Sequence, residues 1–237
     1  MLDRPYAGAL HGSLVTALGT GIVSGQYPPG AVLTLEGVSA EHAVSRSVAR
    51  EAIRVLESMG MVEPRRRVGI TVQPADKWNA YDPVLIRWRL DFGDRTALLG
   101  SLSELRLGFE PAAAALAARR ANLHQCRIMA SAVSDMVVHG RAGDLDAYLL
   151  ADKLFHQTLL EATGNEMFRA LTGVVGEVLT GRTQHGMMPE NPNLAAIALH
   201  DEVARAIRMG EAKMAEHAMR AILDEAASAV VDDPREP

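Results

Sequence analysis

Cysteine is almost missing from this chain. The single Cys126 rules out an internal disulfide framework, suits a reducing cytoplasm, and reads as a buried small hydrophobe. Aromatic residues make up 4% of the 237 positions, so any core must be assembled from Ala, Leu, Val, Ile and Met, a mixture that favours packed helices over sheets. No apolar run approaches the roughly 18 residues of a membrane span, and the first residues lack the basic start and apolar stretch of a secretion signal. An overall positive charge is lacking too. The net charge of −5 argues against a generally adhesive nucleic-acid coat, whose affinity comes from cation density. The patterns H-E-x-x-H and G-x-S-x-G are absent, as is a glycine-rich phosphate loop behind a strand, which removes the common sequence signs of an enzyme. No segment repeats at spacings of roughly 20–50 residues.

The chain does have enough apolar residues, 48%, for one large domain or two modest ones, and it has one dense basic stretch. Between Arg46 and Arg67, six arginines stand against three glutamates on an otherwise acidic chain. In residues 43–61, AVSRSVAREAIRVLESMGM, the residues Ser45, Arg46, Ser47 and Arg50 crowd the first turns of a helix. Val48, Ala52, Val55, Leu56 and Met59 form its apolar stripe at helical spacing. A helix that buries one side and offers Ser and Arg from its start is the shape a major groove accepts. Beyond Gly60, Val62-Glu63-Pro64 and Arg65–Val72 read as a short two-stranded hairpin with arginines near its tip. Helix plus basic hairpin spells a winged helix-turn-helix.

Earlier in the chain, Leu10, Leu14, Leu18 and Ile22 mark a helix over 9–24 despite Gly19 and Gly21, and a second short helix is expected over 35–42. Residues 1–74 therefore form a winged helix-turn-helix domain. Residues 75–92, with Trp78 and Trp88, read as a linker in which Leu85 and Trp88 dock on a neighbouring domain. Residues 93–237 read as an all-α bundle of six or seven antiparallel helices. Pro111 is expected to kink or break the helix 96–120. Residues 186–193 are expected to form a loop, and 232–237 a frayed end. The fold class is mainly α: a winged helix-turn-helix followed by an antiparallel helical bundle.

With these elements in place, the chain resembles GntR-family transcription regulators of the FadR type, which carry an FCD effector domain. The resemblance rests on VSRSVAREAIRVLESMGMV at 44–62 and RRRVGITV at 65–72, on ELRLGFEP at 104–111 and ADKLFHQTLLEATGN at 151–165, and on LHDEVARAI at 199–207. The linker KWNAYDPVLIRW at 77–88 is similar to that of galactonate-operon repressors and related sugar-acid regulators. For DNA contact the resemblance implies Ser45, Arg46, Ser47, Arg50, Arg66, Arg67 and Gly69. Arg46 suits guanine O6 and N7; Arg50 and the hydroxyls suit phosphate. Gly69 would let the wing tip enter the minor groove, with Arg66 and Arg67 following the backbone. The chain departs from the family pattern at Ala49, where Val or Leu is usual. Between Glu36 and Val44 it has seven residues where eight are expected, which leaves contacts from the second helix open.

Asp152 and His156 share one helix face by their spacing, which alone allows either a satisfied core hydrogen bond or a metal site. The resemblance implies a divalent metal, zinc or similar, held by Asp152, His156 and His200, with the usual fourth ligand replaced by Ile222. His217 lies five residues earlier, on the wrong helical face to substitute. Arg106 either pairs with Glu110 on the helix surface, as the spacing allows, or holds the carboxylate of an effector above the cluster, as the resemblance implies. Arg182 is a second candidate. Effector-binding residues are thus expected at Arg106, Asp152, His156 and His200. The resulting expectation is a cytoplasmic homodimeric repressor that holds palindromic double-stranded operator DNA and is released by a small anionic effector such as an aldonate, with no membrane partner. Two alternatives compete: a metal-dependent hydrolase or other enzyme using Asp152, His156 and His200, and an architectural DNA-bending protein, which the acidic second half disfavours.

Overall fold

A computed structural model describes residues 9–185 and 194–231; the loop expected at 186–193 and the end at 232–237 lie outside the described residues. The chain divides into two compact units, residues 1–95 and 96–237.

The first unit opens with α1 (Ala9–Val23), β1 (Val32–Leu33), α2 (Leu35–Glu41) and α3 (Arg46–Ser58). The hairpin β2 (Val62–Arg65) and β3 (Gly69–Val72) follows, then a single 3-10 turn (Ala75–Lys77) and α4 (Pro83–Phe92). Each short helix has a side-chain cap that fixes where it starts: Thr34 accepts from Gly37 N, Ser45 from Val48 N, and Asp82 from Val84 N and Leu85 N. The turn between α2 and α3 is closed by Ala43 in the left-handed region at φ 51°. The buried face of α3 is Ala49, Ala52, Ile53 and Leu56, with Met59 at its end. Val48 and Val55, expected in the stripe, are only half-buried, because the buried face of α3 is turned toward Ala49 and Ile53, on the other side of Ala52 and Leu56.

The sheet has three antiparallel strands in the order β1-β3-β2. The sequence reading had only the hairpin. Its central strand is β3, in which Ile70 faces Leu33 on one side and Pro64 on the other. Gly69, at φ 120°, is confined by this third strand: a Cβ there would lie 2.8 Å from the Leu33 carbonyl oxygen. Sheet packing is by itself enough to require glycine at this position.

Helix α4 shows where the segment 75–92 docks. Leu85 and Trp88 are buried in the same core as α1, α3 and the sheet. The indole of Trp88 occupies the space where a Cβ on Gly19 would be, 2.1 Å from its Cζ3. Gly19 weakens α1 intrinsically, but it gives α4 its seat. The segment therefore belongs to the first unit.

The second unit holds α5 (Arg95–Arg120), α6 (Leu123–Ala142), α7 (Leu145–Ala162), α8 (Glu166–Ala170), α9 (Thr172–Gln184), α10 (Leu194–Met209) and α11 (Ala212–Val231). Helix α6 starts in a capping box made by Asn122 and Gln125 and ends at Gly143 in the left-handed region. Helix α5 runs unbroken through Pro111, which is buried. The core is alanine- and methionine-rich, as the scarcity of aromatics requires: Ala113, Ala114, Ala117, Met129, Ala132, Met136 and Met219 pack around Phe155 and Leu159. Cys126 is half-buried against this core. No described helix is long and apolar enough to cross a membrane.

Candidate functional site

Two groups of polar side chains stand out, one in each unit. In the first unit, Ser45, Arg46, Ser47 and Arg50 are all exposed at the start of α3. Ser45 is the N-cap, and its hydroxyl also lies 2.9 Å from that of Ser47. Arg65, Arg66 and Arg67 surround the wing turn, with Arg67 at φ 65°. Three of the six arginines are already matched by glutamates: Arg46 with Glu36 at 2.9 Å, Arg54 with Glu51 at 2.7 Å, and Arg65 with Glu63 at 2.8 Å. Arg50, Arg66 and Arg67 have no carboxylate partner among the described residues. These three are the cations at liberty to meet phosphate.

In the second unit, Arg106 and Glu110 from α5, Tyr148, Asp152 and His156 from α7, Arg182 from α9, His200 from α10 and Glu225 from α11 converge. All but Glu110 line one cleft. Arg106 and Glu110 pair, but inside the protein rather than on a helix surface: their side chains are 3% and 0% exposed. Arg106 donates from Nε to Glu110 Oε1 at 2.5 Å and from Nη2 to Oε2 at 3.3 Å. The pairing spends much of the Arg106 fork on its own helix. Burial alone would raise the Glu110 carboxyl, but the charges of Arg106 and His156 and their hydrogen bonds bring it down to about 2.

Asp152 Oδ1 lies 3.4 Å from His156 Nε2 and 3.4 Å from His200 Nε2. The outer nitrogens of both imidazoles have partners of their own. His156 Nδ1 is 2.7 Å from Glu110 Oε2, off the ideal hydrogen-bond direction but close enough for an ion contact; His200 Nδ1 donates to the Ala196 carbonyl at 2.7 Å. In its neutral form with Nδ1–H turned outward, each ring carries its Nε2 lone pair on the side of Asp152, and His156 Nε2 also lies 3.5 Å from Arg106 Nη2. Asp152 Oδ1 and His200 Nε2 are buried without any hydrogen-bond partner, as is Arg182 Nε. Burying such atoms unpaired is costly, so their convergence indicates a site that something else completes.

A divalent cation fits this donor set. The three ligand atoms lie within 4.8 Å of one another. The two 3.4 Å separations match the edge of a tetrahedron with ligand distances of about 2.1 Å, roughly 3.4 Å. A carboxylate and a backbone carbonyl behind the two histidines supply the support that orients metal-binding imidazoles. Asp152, His156 and His200 would hold the ion, and the ion would supply a positive anchor for an anionic ligand. Ile222, also lining the cleft, offers no donor, so other oxygens must fill the remaining positions. His217 is exposed. With no ion bound, burial would lower the His156 pKa, but Glu110 and Asp152 overcome this and raise it to about 9.

Arg182 was ranked second from the sequence, yet it is less committed than Arg106. Its pKa is lowered by burial and then by the charge of Arg106, while Asp152, Glu225 and Tyr148 offset this. The hydroxyl of Tyr148 is pushed up by burial and by the charges of Asp152 and Glu225. Glu110, Tyr148 and Glu225 were not found from the sequence as cleft residues. Glu110 was visible only as half of an i,i+4 pair, and nothing in the sequence singled out Tyr148 or Glu225.

Comparison with known proteins gives matches along nearly the whole chain. Residues 11–72 match the gntR family of bacterial regulatory proteins, and residues 101–225 match the FCD domain. The galactonate operon transcriptional repressor of Escherichia coli (strain K12) is 30% identical over 207 residues, covering 86% of this chain and 90% of that one. The probable D-xylose utilization operon transcriptional repressor of Paenarthrobacter nicotinovorans is 26% identical over 199 residues, covering 84% and 78%. Among solved structures, a Streptococcus agalactiae GntR protein superposes with a TM-score of 0.51 at 26% identity, over 92% of this chain and 99% of that one.

Proposed function

The chain belongs to the gntR-family transcription regulators that carry an FCD domain, and from that premise we propose that it is a cytoplasmic repressor of an operon for sugar-acid or other small-carboxylate catabolism. The enzyme alternative is not favoured, since the named relatives are transcriptional regulators. Two copies pair and place their α3 helices in successive major-groove faces of a palindromic operator, because one such helix reads too few base pairs to be specific. Arg46 reads base edges from the start of α3, while Ser45, Ser47, Arg50, Arg66 and Arg67 fix register on the backbone.

The observation that carries the effector half is the set of buried polar atoms that converge on one cleft without a hydrogen-bond partner: Asp152 Oδ1, His200 Nε2 and Arg182 Nε. A small carboxylate with hydroxyls beside it satisfies such a set. Its anionic end meets the guanidinium of Arg182 and a cation held by Asp152, His156 and His200, and its hydroxyls meet Tyr148 and Glu225. The relatives whose names mention galactonate and D-xylose operons support this chemical class. The effector releases DNA only if it binds the DNA-free arrangement more tightly than the bound one.

The test is a mobility shift on the duplex upstream of the protein's own gene, with and without a panel of aldonates and other short hydroxy acids. A shift that one of these acids reverses is expected. Arg182→Ala should keep the shift and lose the reversal. If no acid in the panel alters either the shift or the melting temperature, the effector assignment falls.

A further inference from the structure

One carboxylate on the reading head is left unexplained. Glu36, in the first turn of α2, lies 2.9 Å from Arg46 Nη2, and the two side chains are 63% and 68% exposed. A carboxylate on a surface that approaches phosphates weakens binding to every DNA sequence. Stability does not account for its position, since an ion pair this exposed contributes little to folding. The helix dipole does not account for it either: it favours an acid anywhere in the first turn of α2, with no preference for the side facing Arg46.

The chemistry of the groove does account for it. An ionised carboxylate only accepts hydrogen bonds. The major-groove edge offers it two donors, adenine N6 and cytosine N4. Adenine N6 sits between two acceptors, its own N7 and thymine O4, which repel a carboxylate. Cytosine N4 lies at the outer side of its pair, with guanine O6 and N7 beyond it, and those two acceptors are what an arginine fork takes. A carboxylate already joined to that fork stands next to the cytosine amine. Glu36 Oε1 meets Arg46, which leaves Oε2 to accept from N4.

We propose that Glu36 and Arg46 read a single G·C pair as one unit, with Arg46 on guanine O6 and N7 and Glu36 on cytosine N4. Glu36 is thereby a specificity-determining residue: it weakens attraction to DNA in general and strengthens the choice of one base pair. The inference rests on the reading of α3 as the groove helix, and the experiment separates the two.

Full-length wild type, Glu36→Ala, Glu36→Gln and Arg46→Ala are each used to select from a randomised duplex library. Base preferences are then confirmed by titrating single-pair variants of the selected site over a salt series. Wild type should require one G·C pair in each half-site, with any replacement of that pair weakening binding about tenfold or more. In Glu36→Ala that penalty should shrink to about threefold or less, while affinity for random duplex rises several-fold. Glu36→Gln, which keeps an uncharged acceptor at the same reach, should fall between the two. Arg46→Ala should lose preference at the same pair. If Glu36→Ala binds all sequences more tightly by one factor, with its base preferences unchanged, Glu36 is only a surface charge and the inference is overturned. If wild type selects no sequence at all, the DNA-reading assignment fails and takes this one with it.

Discussion

Each unit of this protein sets an arginine against a glutamate, but in opposite surroundings. On the reading head the pairs Arg46–Glu36, Arg54–Glu51 and Arg65–Glu63 are solvated, while in the second unit Arg106–Glu110 is sealed among α5 and α7. The solvated pairs cost little to open or to shift, so their arginines stay free to reorient. The sealed pair cannot be exchanged cheaply, because either charge left alone in the interior is uncompensated. It works as a fixed wall: Glu110 braces His156, which faces Asp152. Movable charge belongs to the surface that must find its target, and immobile charge to the cleft that must hold its shape.

Substitutions that break this contrast should differ widely in size. The largest effect is expected for Arg106→Ala, which leaves buried Glu110 with only the imidazole of His156 and should cost about 3–5 kcal/mol of stability, read by urea or thermal unfolding. A loss below about 1 kcal/mol would mean the pair is not sealed in solution. The same wall should be acid-sensitive. Glu110 is held at about 2, below its ordinary 4.5. Its folded-state pKa is depressed, so its contribution is complete above pH 4.5 and is lost as pH falls toward 2. Unfolding of the second unit followed across that range should show the loss, and Glu110→Gln should flatten it. On the head, Arg46→Ala should leave the melting temperature in place while weakening operator binding by about 1–3 kcal/mol, or roughly fivefold to 150-fold. Arg50→Ala should weaken binding to all duplexes alike and reduce the salt slope by about one. The smallest change is expected for Arg54→Ala, within about 0.5 kcal/mol in stability.

The sequence conveyed the reading head well because its signals are local. Ser45 caps α3, apolar residues recur at helical spacing, and Gly60 turns the chain into a hairpin; each is decided within a few neighbours. Strand β1 was not legible. Two residues, Val32 and Leu33, carry no alternation, and their pairing partner lies some forty positions away at Ile70 and Thr71. On α3, Ala52, Leu56 and Met59 are buried as the spacing indicates, while Ile53 and Ala49, the latter small enough to pass for a neutral position, are buried in place of Val48 and Val55. The cleft was half visible. Asp152, His156 and His200 come together as the family resemblance implied. The burial of Arg106–Glu110 was not visible, because an i,i+4 pair has the same spacing inside or outside a protein. Only the imidazole of His156, from another helix, decides which it is.

The notch at Gly19 makes the seating of α4 depend on one missing methyl group. With the indole of Trp88 filling that space, even Gly19→Ala would have to drive α4 off α1, although alanine is the better helix former.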